Sequence, residues 1–362
     1  MKSKSLSVAL IALGLLVIPT QAASLTDSLK AGKPDLQSIG PISFGPEGIL
    51  FAADTKGAAL FAIATDDNTA RAGQAVKVEA MTQKIGALLG VPAADVLVND
   101  MAVHPISHNT YLAVSRGRGT DAQPALLRVK ADGQLETVSL ENVKFSKAVL
   151  PNAPASTAAA RNPRLESITD IAFLDGQVIV AGLSNEEFAS KLRSVPFPFQ
   201  TVANGTSVEI YHGSHGQFET RAPIRTFVSY KIGTEQNVLA AYTCTPLVKF
   251  PLSDLKPGAK VQGKTIGEFG NGNQPLDMIV YQKGGKDYLL MANSRRGVMK
   301  ITTDNIDKEE PIVAPVANTK GLGFETIAAW TGVEQLDRLS DQLAMVVRRT
   351  GDALSLESLP LP

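Results

Sequence analysis

The chain alternates short apolar runs with turns, and the apolar runs repeat. A stretch of small and branched apolar residues ending in a polar or glycine turn occurs six times. It covers residues 49–53 before Asp54, 111–114 before Ser115-Arg116-Gly117, and 178–182 before Leu183-Ser184-Asn185. It returns at 238–241 before Tyr242-Thr243-Cys244, at 288–292 before Asn293-Ser294-Arg295, and at 343–347 before Arg348-Arg349. Apolar residues on both faces of so short a run indicate strands covered on both sides. Upstream of most copies lies a strand opened by a polar residue: Asp100-Met101-Ala102-Val103, Asp170-Ile171-Ala172-Phe173, Asp277-Met278-Ile279-Val280 and Thr326-Ile327-Ala328-Ala329. Downstream lies an alternating strand, as at 60–63, 126–129, 208–211 and 298–301. Turn signals such as Ala131-Asp132-Gly133 and His212-Gly213-Ser214-His215-Gly216 join these strands into antiparallel hairpins.

Innermost strands are expected to start near Ile42, Asp100, Asp170, Ile224, Asp277 and Thr326. The spacing averages roughly 50 residues, close to the ~40–50 of propeller blades. The pattern predicts one all-β domain over residues 23–362, a β-propeller of six blades with four antiparallel strands each, or of seven if an insertion hides a further blade. Three insertions make the units unequal. Residues 82–94 place Ile85, Leu88 and Leu89 at helical spacing, 146–164 are rich in Ala, Pro and Asn and read as a loop, and 185–205 carry Phe188, Phe197 and Phe199. The last strand, around Leu354-Ser355-Leu356, is expected to close the ring against residues 36–39.

The N-terminus changes the picture of where such a domain works. Lys2 and Lys4 precede an apolar run from Leu6 to Ile18, and Thr20 and Ala22 supply small residues at the cleavage positions. That predicts a signal peptide over 1–22 and a periplasmic or secreted protein. The run is shorter than the roughly 20 residues of a membrane span, so no membrane insertion is expected. The chain has 35 basic and 35 acidic residues and no basic block, which gives no electrostatic case for nucleic acid. Cys244 is the only cysteine, so stability rests on the core rather than on disulfides, and a monomer is expected.

The recurring strands resemble six- and seven-bladed propellers of the broad class that includes NHL repeats, YVTN-type repeats and the gluconolactonase-like lactonases. The resemblance spans nearly all of residues 23–362, through patterns of apolar strands rather than fixed letters. In such a ring, the loops entering the innermost strands and those following the second strands share one face. Asp100, Asp170 and Asp277 would then surround the channel mouth with Glu325, and Arg116, Arg295 and Arg348 would lie farther out on the same face. Residues 185–205 would project there as a lid. The carboxylates could hold Ca²⁺ or another divalent cation through oxygen ligands, or each could cap its own turn by accepting backbone N–H bonds. The arginines could bind an anion or simply pair with nearby carboxylates.

All four histidines fall in two pairs, His104 with His108 and His212 with His215, at spacings that can bind Zn²⁺ or Cu²⁺. Both pairs are expected on the face opposite the aspartates. Cys244, with no histidine in its own segment, reads as a half-buried structural thiol. There is no Gly-x-Ser-x-Gly elbow, His-Glu-x-x-His, Cys-x-x-Cys-His or phosphate loop, which argues against triad hydrolases and haem proteins. Two functions remain: a propeller that binds a small molecule, peptide or protein on its lidded face, and a divalent-metal-dependent hydrolase like the gluconolactonase-like lactonases. Those enzymes carry a Glu before the Gly-Pro of the first blade, where this chain has Ile39 before Gly40-Pro41.

Overall fold

A computed structural model describes residues 24–158 and 161–362. The proposed signal peptide lies outside the described residues. Strand dominates, and the helix Met81–Leu89 is the one α-helix among the described residues, where helical spacing was read. Its Ile85 is fully buried against Val78 and Leu356, while Leu88 faces solvent.

The strands form six sheets of four to six strands, antiparallel except where Lys260–Gln262 joins Thr206–His212 in parallel, each built outward from a channel-lining strand. These innermost strands are Ile42–Phe44, Val96–Val103, Asp170–Leu174, Ile224–Ile232, Pro275–Lys283 and Val333–Arg338. The strand that follows each one is the apolar run of the repeat; Ile49–Asp54, for example, is buried at every position. Such strands bury both faces because each sheet packs against a neighbour on either side. Six apolar clusters result, one in each gap between adjacent blades.

The clusters also reveal the order of the blades around the ring. Phe51 of the first sheet packs on Phe173 of the third, their rings stacked 5.4 Å apart, and Phe61 of the first lies in a cluster with Tyr111 of the second. Leu112 of the second sheet shares a core with Met345 of the sixth. The innermost strands touch in the same sequence. Around the channel the blades therefore run first, third, fourth, fifth, sixth, second. The chain lays down blade one, builds blade two on one side of it, and returns across blade one to build blade three on the other.

Several strands are exchanged between blades: Lys260–Gln262 pairs with blade three and Thr319–Gly321 with blade four, and two more join distant parts of the chain. The strand Val143–Val149, made after blade two, pairs with Ala59–Ala64 and completes blade one. Lys77–Val78, from the connection between blades one and two, pairs with Ala353–Pro360 of blade six. This is where the ring closes. Residues 36–39 do not do so; Gln37 and Ser38 instead donate backbone N–H bonds to buried Asp54.

Three further expectations change. The innermost strand of blade six is Val333–Arg338, not residues 326–329; Phe324–Thr326 is the outer strand of blade five. Within 146–164, residues 146–149 belong to the exchanged strand. Within 185–205, Ser190–Pro196 is the third strand of blade three. Phe197 and Phe199, which follow it, pack on Phe51 in the gap between blades one and three. That segment is part of a blade and no lid.

Candidate functional site

The channel is lined by polar residues at matching positions of the innermost strands. Asp100, Asp277, Thr226 and Gln335 each follow a bulge that turns one residue out of the ladder, and Asp170 opens its strand. Bulges re-aim a side chain, here into the channel wall. Each aspartate spans two blades. Asp170 accepts from the N–H of Ile171 on its own strand at 2.7 Å and from Phe227 on the next blade at 2.8 Å. Asp277 does the same with Met278 and Leu336, at 2.8 and 2.7 Å. Asp100 accepts from Ile42 at 2.7 Å. Asp337, two residues beyond Gln335, accepts from Arg338 and Val103, both at 2.7 Å.

These bonds combine both expected roles. Each carboxylate caps its own strand, yet the four also line one chamber of about 300 Å³ in the channel. Burial disfavours their charged forms, so Asp170 is pushed up to about 7 and Asp337 to about 6. Asp100 and Asp277 are also held well above the usual carboxylate range, first by burial, with the charges of the other carboxylates adding to it. Asp337 escaped the sequence reading because its strand was misplaced.

Above the chamber the mouth opens into two recesses of about 520 and 680 Å³, which share Asn99 and Leu276. Asn99 is fixed by donating to Ile39 O and Ser115 Oγ at 2.7 and 2.9 Å. The first recess carries Lys56, Arg118, Arg225 and Glu166; the second carries Arg295, Arg349 and Glu334. Both carboxylates are occupied, Glu166 by Arg161 and Arg225 and Glu334 by Arg349.

Of the arginines expected around the mouth, Arg295 lines it. Arg116 is exposed at the end of its strand, and its neighbours Gly117 and Arg118 line the recess instead. Arg348 turns away, binding Glu357 at 3.0 Å and the carbonyl of Thr331. Glu325 sits on the rim of blade five, where it pairs with Lys300 at 3.3 Å. Its expected place depended on the misread strand of blade six.

The histidine pairs separate. His104 and His108 follow an innermost strand to the far face, as expected. The Nδ1 of buried His104 accepts from Ile106 and Ser107 N–H at 3.1 Å, the pattern of a structural histidine. His212 and His215 do not lie on that face. They end the fourth strand of blade three, which rises to the channel-mouth side, and they meet Cys244 there. The outermost strand of a four-stranded meander runs opposite to the innermost, so it ends on the mouth side where the innermost begins.

Fold and channel together define a six-bladed β-propeller. No family model matches the chain, and no curated protein does. Among solved structures it is similar to the Cps50 (Swd1) β-propeller domain of Myceliophteria thermophila, at 12% identity over 89% of this chain and 83% of that one, with a TM-score of 0.38. It is also similar to the PQQ-bound aldose sugar dehydrogenase of Streptomyces coelicolor, at 13% identity over 91% and 96% with a TM-score of 0.31. The apo soluble aldose sugar dehydrogenase of Escherichia coli matches at 10% identity over 92% and 99%, with a TM-score of 0.34. At these identities the likeness concerns the fold alone.

Proposed function

We propose that this is an exported propeller that binds a small anionic molecule across the channel mouth. The carrying observation is the local charge. Five cationic side chains line the recesses against two carboxylates; Arg225 and Arg349 pair with those two, which leaves Lys56, Arg118 and Arg295 in excess. The chain as a whole is balanced in charge, so this excess is local. The recess volumes suit a small molecule, and guanidinium forks match carboxylate or phosphate oxygens. Arg295 has no carboxylate partner among the described residues. A panel of small carboxylates and phosphates, screened by thermal shift and then calorimetry, tests the reading. A binder should lose about tenfold or more in affinity in Arg295→Ala and weaken with added salt. Binding that ignores both the substitution and the salt would refute it. Export is tested by sequencing the N-terminus from the exported fraction, expected at Ala23 or Ser24.

A second reading places a divalent cation such as Ca²⁺ in the carboxylate chamber, as metal-dependent hydrolysis would require. It is favoured by four buried carboxylates around one space, whose mutual repulsion a cation relieves. Each already accepts a backbone N–H from the neighbouring blade, and Asp170, Asp277 and Asp337 accept a second from their own strand, so the wall holds together without an ion. Elemental analysis showing one equivalent of calcium, lost in Asp277→Asn, would favour this second reading.

A further inference from the structure

The hairpin ending blade three and a tight turn of blade four meet on the channel-mouth side, away from the recesses. His212 closes the strand Thr206–His212, His215 stands at the hairpin tip, and Glu219 returns on Gln217–Glu219. Glu219 holds both rings: its Oε2 lies 2.9 Å from His212 Nδ1 and its Oε1 2.5 Å from His215 Nδ1. With each Nδ1 turned to a carboxylate, each Nε2 of the neutral rings carries a free lone pair. The ring centroids are only 3.8 Å apart. His212 is 2% exposed, and its Nε2 has no hydrogen-bond partner. A buried polar atom left so costs roughly 1–3 kcal/mol, and native structures rarely tolerate one without a reason.

The reason comes from the next blade. One ring nitrogen of each histidine and Cys244 Sγ all lie within 4.8 Å of one another. Cys244 and Thr245 both adopt left-handed backbone, with φ of 66° and 63°, in the three-residue connection between Tyr242 and Pro246, a conformation that Asn and Gly adopt more readily. The turn is pinned: Cys244 N–H donates to Asn273 O, and Thr245 Oγ1 donates to Gly270 O, both at 2.7 Å. On the other side, Gly213 lies so near Glu268 that a Cβ there would fall 2.8 Å from its Oε1. The Gly213 N–H donates to the same carboxylate, which holds the hairpin in place beside the thiol.

We propose that His212, His215 and Cys244 form a transition-metal site, with Zn²⁺ the ion its donors suit best and Glu219 the carboxylate that orients both imidazoles. A single imidazole would suffice to activate a thiol. A second one, anchored by the same carboxylate and turned to the same point, is redundant for that purpose but completes a ligand set. Two nitrogens and a thiolate suit zinc or copper rather than a hard cation, which takes oxygen. A histidine whose other nitrogen is held by a carboxylate is the usual outer arrangement of such sites. Bonds of about 2.0–2.3 Å put neighbouring ligand atoms roughly 3.3–3.8 Å apart around a tetrahedral ion, so the three must close by about 1 Å. His215, half exposed at the hairpin tip, has the freedom to do it. Three protein ligands leave a fourth position for water or an outside ligand.

The test uses purified protein stripped of metal under reductant, titrated first with Co²⁺ and then with Zn²⁺. One equivalent of Co²⁺ should produce thiolate charge-transfer absorption in the near ultraviolet and the strong visible bands of a tetrahedral ion, and one equivalent of Zn²⁺ should bleach both. Cys244→Ser should abolish the charge-transfer band. His215→Ala, at an exposed position that leaves the fold intact, should weaken Zn²⁺ by about 100-fold, and Glu219→Gln by roughly 10–100-fold. His108→Ala, on the far face, should bind as the parent does. A missing band, a band that survives Cys244→Ser, or unchanged Zn²⁺ affinity in His215→Ala overturns the site. So does alkylation of Cys244 at the same rate with and without Zn²⁺, which would make the cluster a thiol–imidazole nucleophile instead.

Discussion

Asp170 holds two backbone N–H groups on adjacent blades while burial drives its titration up to about 7 from an ordinary 3.8. The sign of the consequence follows. Between those two values the folded protein keeps a proton that the unfolded chain releases, so stability falls as pH rises through that window, by roughly 1.4 kcal/mol per pH unit. Asp170→Asn removes that slope and, through the lost acceptor, costs about 1–3 kcal/mol at every pH. Urea melts at pH 4.5 and pH 8 should show the variant gaining on the parent at the higher pH. Parallel profiles would mean that Asp170 stays charged throughout. From sequence, Asp100, Asp170 and Asp277 could be picked out because they open equivalent strands. Their reach to the neighbouring blade could not, since it depends on which blade is the neighbour. The meeting of Cys244 with His212 and His215 was hidden for the same reason, as the residues lie on different sheets.

At the level of strands, the apolar second strands were legible because burial on both faces leaves only one kind of residue. The strands that were misread are those where polar side chains are buried. Val333–Arg338 carries Glu334, Gln335, Asp337 and Arg338, because one face lines the channel and a bulge breaks its alternation. Ser190–Pro196 looked like a loop because it buries Lys191 and Arg193. The closing pair was missed because Lys77–Val78 is only two residues long. Val78 is 1% exposed and packs between the helix Met81–Leu89 and Leu356. Val78→Ala should therefore cost about 2 kcal/mol. Hydrogen exchange should report the loss as faster exchange at Leu356 and Glu357, with blades three and four unchanged. Uniform loss of protection across all six blades would contradict a local role in closure.

Across the whole molecule, the exchanged strands couple parts of the chain that a sequential ring would leave separate. A cut in the exposed stretch around Ala155 divides the chain into one piece with blades one and two and another with blades three to six. The two pieces are joined chiefly by the Lys77–Val78 pairing with blade six and by the apolar cores between blades one and three and between two and six, with hydrogen bonds such as Val103 N–H to Asp337 beside them. A protease site placed after Ala155 should yield fragments that coelute under native conditions and part only in denaturant, with one cooperative melt. Fragments that separate in buffer would show that the ring is held by its covalent chain.

The position of Val143–Val149 also sets a timetable for the ribosome. When Ala64 leaves the exit tunnel, blade one still lacks its outer strand, and the missing piece is not made until blade two has been translated in full. At ~5–20 residues per second, that leaves an apolar sheet edge bare for roughly 4–16 seconds of synthesis. Blade six waits in the reverse sense, its partner Lys77–Val78 having been made long before the last strand. A chain written in this order gains little by folding as it emerges. It suits a route in which the polypeptide is held unfolded until its last residue is available, as threading through a membrane pore would require.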